Sequence, residues 1–163
     1  MFAEIMQREQ RMDIYQRICR DHETLRRLMT EFKDSAESDK ARRAAIFGQL
    51  QRELWAHGKV EETVFYAAIG ESRQAKSETM EGFNEHHMIN SLLDELQAMP
   101  PGDTAWNAKI QVLNEIVRHH IDEEEEELFE DARKVLKEDQ ARELGQAFDE
   151  RKRLAMAALE PLE

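Results

Sequence analysis

The chain has 163 residues, of which 40% are hydrophobic, 36% charged and 7% aromatic, with 6 Gly and 3 Pro. Its length suits one domain, and its composition suits long, surface-charged helices joined by short loops rather than a sheet. A net charge of -12 at pH 7 disfavours both sequence-independent nucleic-acid binding and adhesion to an anionic membrane, since each needs a basic surface.

The stretch Met1 to Met12 is interrupted by Glu4, Gln7, Arg8, Glu9 and Arg11 and does not read as a signal peptide. Nothing in the chain approaches the ~20 continuous apolar residues of a membrane span. The expected location is the cytoplasm. Whether the segment before Met12 extends the first helix is left open by its pattern.

The first strong helix runs from about Asp13 to Phe32, with Ile14, Ile18, Leu25, Met29 and Phe32 at three- and four-residue spacing. His22 falls within that series. Cys19, the single cysteine, excludes an internal disulfide and CxxC metal chemistry. It reads either as a small buried apolar residue or as a neighbour of whatever His22 serves. A polar break follows, and Ser38 or Asp39 caps a second helix carrying Ile46, Leu50, Leu54, Val64 and Ile69, with Gly70 as its stop.

A third helix starts between Ser72 and Ser77 and reaches Met99, with Phe83, Ile89, Leu92, Leu93 and Leu96 as its apolar members. Pro100-Pro101-Gly102-Asp103 breaks it, and Asp103 or Thr104 caps a fourth helix that runs from about Ala105 past Phe129. A fifth stretch, Glu138 to Leu159, places Leu144, Phe148, Leu154 and Leu159 on one side and is expected to pack across one end of the bundle. The fold expected is all-α: an up-down four-helix bundle over about 13–131 with an additional C-terminal helix over about 138–159, in a single domain spanning 1–163.

Histidines and carboxylates recur at matching places on four helices. They are Asp21-His22-Glu23, His57-xxx-Glu61, Glu85-His86 and His120-xxx-Glu124. A helix turns by roughly 100° per residue, so a His and a Glu four apart point the same way. The apolar face of the fourth helix is set by Ile110, Leu113, Val117, Ile121 and Leu128. Glu124 lies within roughly 20° of its centre and His120 within roughly 60°, whereas His119 and Glu123 fall about 160° and about 120° away. The same reasoning puts His86 at the flank of the third helix's apolar face and His87 nearly opposite. His57 and Glu61 sit near the centre of the second helix's stripe.

A buried ionised carboxylate is costly unless paired or bound to metal. Glu61 and Glu124 therefore call for cations, and four imidazoles with two bridging-capable carboxylates suit two five- or six-coordinate ions better than tetrahedral zinc. A ferritin-like site would use Glu-x-x-His motifs, of which the chain has none. The competing structural reading is a metal-free bundle with buried His–Glu pairs. In the acidic run Asp122 to Glu127, Glu127 borders the core as a possible acceptor for an imidazole N–H. Glu62 is expected to face solvent, with a terminal ligand role as the alternative. Tyr15, Tyr66 and Trp55 are read as packing residues.

These residues resemble the hemerythrin-like, or HHE cation-binding, family. The resemblance runs through Ile14–Glu23 (IYQRICRDHE), His57–Tyr66 (HGKVEETVFY), Glu85–Leu96 (EHHMINSLLDEL) and His120–Phe129 (HIDEEEEELF). It implies that His22, His57, His86 and His120 bind two non-haem iron ions that Glu61 and Glu124 bridge, with an oxo or hydroxo ligand completing the pair. The oxygen carriers of the family have a fifth histidine where this chain has Asn90. Their last helix has His followed five residues later by Asp, whereas His120 is followed by Glu124 and Glu125.

The match is therefore to the four-His, two-Glu branch similar to the repair-of-iron-centres proteins. Those usually carry an N-terminal Cys-bearing domain that is not expected here. The resemblance implies a di-iron protein that binds or reacts with oxygen, nitric oxide or peroxide in a stress response or iron homeostasis, with an unidentified redox partner. The alternative is a non-enzymatic iron- or oxygen-responsive sensor.

Overall fold

The computed structural model describes residues 2–3 and 12–159. Glu4 to Arg11, on which the readings of the N-terminal segment rest, lie outside the described residues. The described chain is all-helical. Helix α1 (Ile14–Asp34) is opened by a reciprocal cap in which Asp13 accepts the Gln16 N–H at 2.9 Å and the Gln16 side chain accepts the Asp13 N–H at 3.1 Å. Asp39 caps α2 (Lys40–Val60) by accepting the Arg42 N–H at 3.1 Å, so of the two candidate caps it is the one used. α2 continues through a wider π-helical turn (Glu61–Tyr66) into a short α3 (Ala67–Ile69).

Helix α4 (Lys76–Gln97) comes back down and ends at the Pro100–Asp103 turn, where Gly102 takes φ 85°, a conformation that favours glycine. Helix α5 (Thr104–Glu123) then passes through a second π-helical turn (Glu124–Leu128) into α6 (Phe129–Val135), and α7 (Glu138–Ala158) closes the described chain. The four rods are thus α1, α2–α3, α4 and α5–α6, and each packs against its neighbours around the bundle. Both π turns start on a glutamate that the sequence reading pointed inward, Glu61 and Glu124. In the first, the Ala67 N–H reaches Glu62 O, and in the second the Phe129 N–H reaches Glu124 O, each spanning one residue more than an α turn does.

The interior is layered along the bundle axis. One apolar cluster holds Leu25, Leu28, Met29, Leu50, Leu54, Leu93, Trp106, Leu113 and Val117. The other holds Ile14, Ile18, Phe65, Ile69, Phe129 and Phe148. The histidines and inward glutamates form a polar layer between them. Apolar packing on both sides stabilises the rods and keeps that layer dry.

Helix α7 does not cross an end of the bundle. It lies lengthwise in the groove between α1 and α2, with Asp149 on Arg17, Lys152 on Asp21 and Glu53, and the Phe148 ring 5.8 Å from that of His57. Gly145 permits this close docking, since a side chain there would collide with the Met12–Asp13 backbone. The reason for the departure is chemical. Lys152, itself buried, meets Asp21 on α1 and the half-buried Glu53 on α2, so the helix turns part of its polar side inward, and Leu154 is left 63% exposed.

Candidate metal centre

All six inward residues named from the sequence meet in the polar layer, and none is more than 5% exposed. Each comes from a different turn of the four rods: His22 from α1, His57 and Glu61 from α2 and its π turn, His86 from α4, His120 and Glu124 from α5 and its π turn. His87 and His119 point outward as expected, His119 meeting Glu123 at the surface, at 3.3 Å.

The six residues divide into two half-sites that share both glutamates. In half-site A, the Nε2 of His57 lies 3.3 Å from Glu61 Oε2 and the Nε2 of His22 lies 3.2 Å from Glu124 Oε1. One atom from each of these four residues fits within a common 4.8 Å. In half-site B, the Nε2 of His86 lies 3.1 Å from Glu61 Oε1, and the Nε2 of His120 lies 3.6 Å from Glu61 Oε1 and 3.5 Å from Glu124 Oε2. Each glutamate thus turns one oxygen to each half. A carboxylate placed this way can span two cations.

The protons on the imidazoles are fixed from outside. Nδ1 of His22 faces Glu125 at 2.9 Å, that of His57 faces Asp21 at 2.8 Å, that of His86 faces Glu62 at 3.0 Å and that of His120 faces Glu85 at 3.0 Å. An ionised carboxylate only accepts, so each Nδ1–H donates and each neutral ring turns a lone pair inward through Nε2. Those lone pairs converge on carboxylate oxygens that also only accept. The Nε2 atoms of His22 and His57, both oxygens of Glu61 and Glu124 Oε1 are buried without a hydrogen-bond partner among the described residues. A set of buried acceptors with no donor is unstable by itself and is what a pair of cations satisfies.

Electrostatics in the metal-free chain carry the same message. Burial alone would depress His57, but the charge of the adjacent Glu61 and the hydrogen bond with Asp21 outweigh it and raise its pKa to about 10. Burial would likewise depress His120, and its closeness to Glu61 and its hydrogen bond with Glu85 raise it well above the usual value. Glu124 is raised by burial and by the neighbouring charge of Glu61. Without metal, protons take up the charge that the cluster cannot bear.

Four carboxylates that hold the imidazoles were not assigned that role in the sequence reading. Asp21, Glu62, Glu85 and Glu125 each stand next in the chain to a residue of the cluster, yet each serves a histidine on a neighbouring rod. Glu62, expected to face solvent, is half-buried with 26% of its side chain exposed, and it meets the outer nitrogen of His86 instead of joining the centre. Glu127 is exposed, and Glu125 takes the place expected of it, because the π turn widens the helix after Glu124. The available signal was the acidic residue beside His22, Glu61, His86 and Glu124.

Two further side chains flank the centre. The Tyr66 hydroxyl donates to Glu124 Oε2 at 2.9 Å, and its ring stacks on that of His86 at 5.4 Å. Tyr66 is therefore more than packing. Cys19 stands beside His22 and Glu125, and burial followed by the charge of Glu125 raises its thiol to about 11.

The centre is flanked by two small openings. On the core side, a cavity of ≈ 10 Å³ is bordered by His57, His86 and His120 together with Leu25, Leu54, Val117 and Ile121. On the Tyr66 side, a cleft leads from Glu78, Glu81, Glu123 and Glu127 to His120 and Glu124. No described helix is long and apolar enough to cross a membrane.

Comparison with known proteins agrees with this fold. The family described as the hemerythrin HHE cation binding domain matches residues 13–132. A crystal structure of a hemerythrin HHE cation binding domain-containing protein from Mycobacterium kansasii superposes with a TM-score of 0.79 at 19% identity, covering 90% of this chain and 89% of that one. A protein named DNA nickase from Nostoc sp. is 29% identical over 140 residues, which is 86% of this chain and 39% of that protein's length.

Proposed function

The chain belongs to the hemerythrin HHE cation-binding family, and from that premise we propose that its polar layer holds two iron ions bridged by Glu61 and Glu124 and presents them to a small ligand such as oxygen, nitric oxide or peroxide. The observation that carries this reading is the division of six buried side chains into two half-sites, each with two Nε2 lone pairs and one oxygen from each glutamate. Iron bound there would supply one-electron chemistry and open positions for a small molecule.

The chain's own residues shape what such a centre could do. The four Nδ1–H bonds to carboxylates lock ring orientation and strengthen each imidazole as a donor. Tyr66 holds a proton at its hydroxyl, aimed at Glu124 Oε2, and is the donor nearest the bridging oxygens. Leu25, Leu54, Val117 and Ile121 keep bulk water out on the core side, and the cavity they border is about the size of one water molecule.

Iron-loaded protein exposed in turn to nitric oxide, hydrogen peroxide and imidazole tests this. The expected result is a change in the visible spectrum with nitric oxide or peroxide and none with imidazole. An equal response to imidazole, or no response to either small ligand, contradicts it.

One observation also favours a sensing role. The buried acceptor set makes the folded state depend on its cations, so iron supply would be read out as a change in fold stability. A DNA-directed role of the kind named for the Nostoc relative would need a basic surface to neutralise phosphates, for which a chain of net charge -12 is ill suited.

A further inference from the structure

The two half-sites have the same ligands but not the same surroundings. On side A, each carboxylate behind a histidine is itself held by cations. Asp21, behind His57, receives Arg17 Nη1 at 2.8 Å and Lys152 Nζ at 3.0 Å. Glu125, behind His22, receives Arg26 Nη2 at 2.6 Å. On side B, Glu62 behind His86 and Glu85 behind His120 have no Lys or Arg within ion-pair distance among the described residues. The cleft beside side B adds further negative charge from Glu81 and Glu123.

The three cations on side A also touch outer carboxylates, Asp149, Glu53 and Asp122. Asp149 and Asp122 are 38% and 62% exposed, so solvent screens them. Arg17, Lys152 and Asp21 are buried, and their charges act at short range in a low dielectric. A carboxylate already engaged by a guanidinium or ammonium pulls less on an imidazole N–H. That imidazole is then a poorer donor through Nε2.

Resting on the metal-centre reading above, we propose that the two metal positions are unequal by construction: half-site B (His86, His120) takes up a divalent cation first and more tightly, and half-site A (His22, His57) is held weaker by Arg17, Arg26 and Lys152. Helix α7 thereby belongs to the centre. Lys152 and the two arginines are positioning residues, acting on the metal through the carboxylates behind His57 and His22. The consequence for function is a pair in which one ion stays put and the other is exchangeable.

Zinc, which is diamagnetic, makes a direct probe. The full-length chain, with its imidazole nitrogens labelled with nitrogen-15, is freed of metal and titrated with zinc while all six histidines are followed by NMR. The first equivalent is expected to shift Nε2 of His86 and His120, and the second those of His22 and His57. The exposed His87 and His119 serve as internal references. Lys152→Met and, independently, Arg26→Gln on the partly exposed Arg26 are each expected to tighten the second step about tenfold and narrow the gap.

Filling of His22 and His57 first, simultaneous movement of all four, or a gap that both variants leave unchanged or widen would overturn the proposal. Absence of any imidazole shift would overturn the metal-centre reading itself, so the two failures are distinguishable.

Discussion

The carboxylate of Asp21 on α1 receives the Nδ1–H of His57 on α2 at 2.8 Å, although its neighbour in the chain is His22. The same offset recurs around the bundle. Glu62 on the second rod holds His86 on the third, Glu85 on the third holds His120 on the fourth, and Glu125 on the fourth holds His22 on the first. The four rods are tied in a closed ring, each contributing a histidine inward and a carboxylate sideways. Asp21→Asn, which keeps shape and removes charge, should weaken metal binding about tenfold or more, as loss of such partners does elsewhere. Isothermal titration of the metal-free variant with zinc checks it, and unchanged affinity would show that the ring is only packing.

Glu124 and Glu61 should separate metal binding from folding. In the metal-free chain, burial and the charge of Glu61 raise the Glu124 pKa, which means that folding disfavours its ionised form. Glu124→Gln is therefore expected to abolish stoichiometric metal binding while leaving the melting temperature of the metal-free protein unchanged or higher. A large loss of metal-free stability would mean that the carboxylate holds the fold directly.

The pH dependence of the metal-free protein follows from His57, whose folded-state pKa is raised to about 10. A histidine raised in the folded state contributes stability that is fully present below about 6.5, its unfolded value, and is lost as pH rises toward and through the folded pKa. His22, His86 and His120 are raised as well. Thermal melts of metal-free protein should therefore fall between pH 7 and pH 10, whereas metal-loaded protein should hold steady. Because metal uptake displaces those protons, affinity should rise over the same range. A metal-free melting temperature that rises with pH would contradict this.

Gly82 on α4 leaves the space that the Tyr66 hydroxyl occupies, and a Cβ there would collide with that ring. Gly82→Ala should cost about 1–3 kcal/mol, the usual range for overpacking. Tyr66→Phe, which removes a hydrogen bond to a charged group, should cost about 1.5–3 kcal/mol. Their combination should cost less than the sum, because the hydroxyl that clashes is already gone. Strict additivity in denaturant melts would mean that the two residues do not share the site.

Much of the centre was legible in the chain because helical periodicity is regular. A constant turn placed His120 and Glu124 inward and His119 outward, and the structure agrees. It failed where that regularity breaks. The π turns after Glu61 and Glu124 leave no mark in composition, so regular periodicity points to Glu127 as an alternative acceptor, whereas Glu125 holds His22. The clamps Asp21, Glu62 and Glu85 act between rods, and a pattern along one helix carries no information about its neighbour. Helix α7 was placed by its apolar residues, whereas its polar ones, Asp149 and Lys152, decide where it lies.

The central claim, that the polar layer holds a pair of irons, is tested most directly by the metal content of freshly purified protein, repeated after anaerobic iron reconstitution. The account predicts two irons per chain, falling to none in Glu61→Gln and unchanged in the surface variants His87→Ala and His119→Ala. Wild-type protein without stoichiometric iron after reconstitution, or two irons retained in Glu61→Gln, would contradict it.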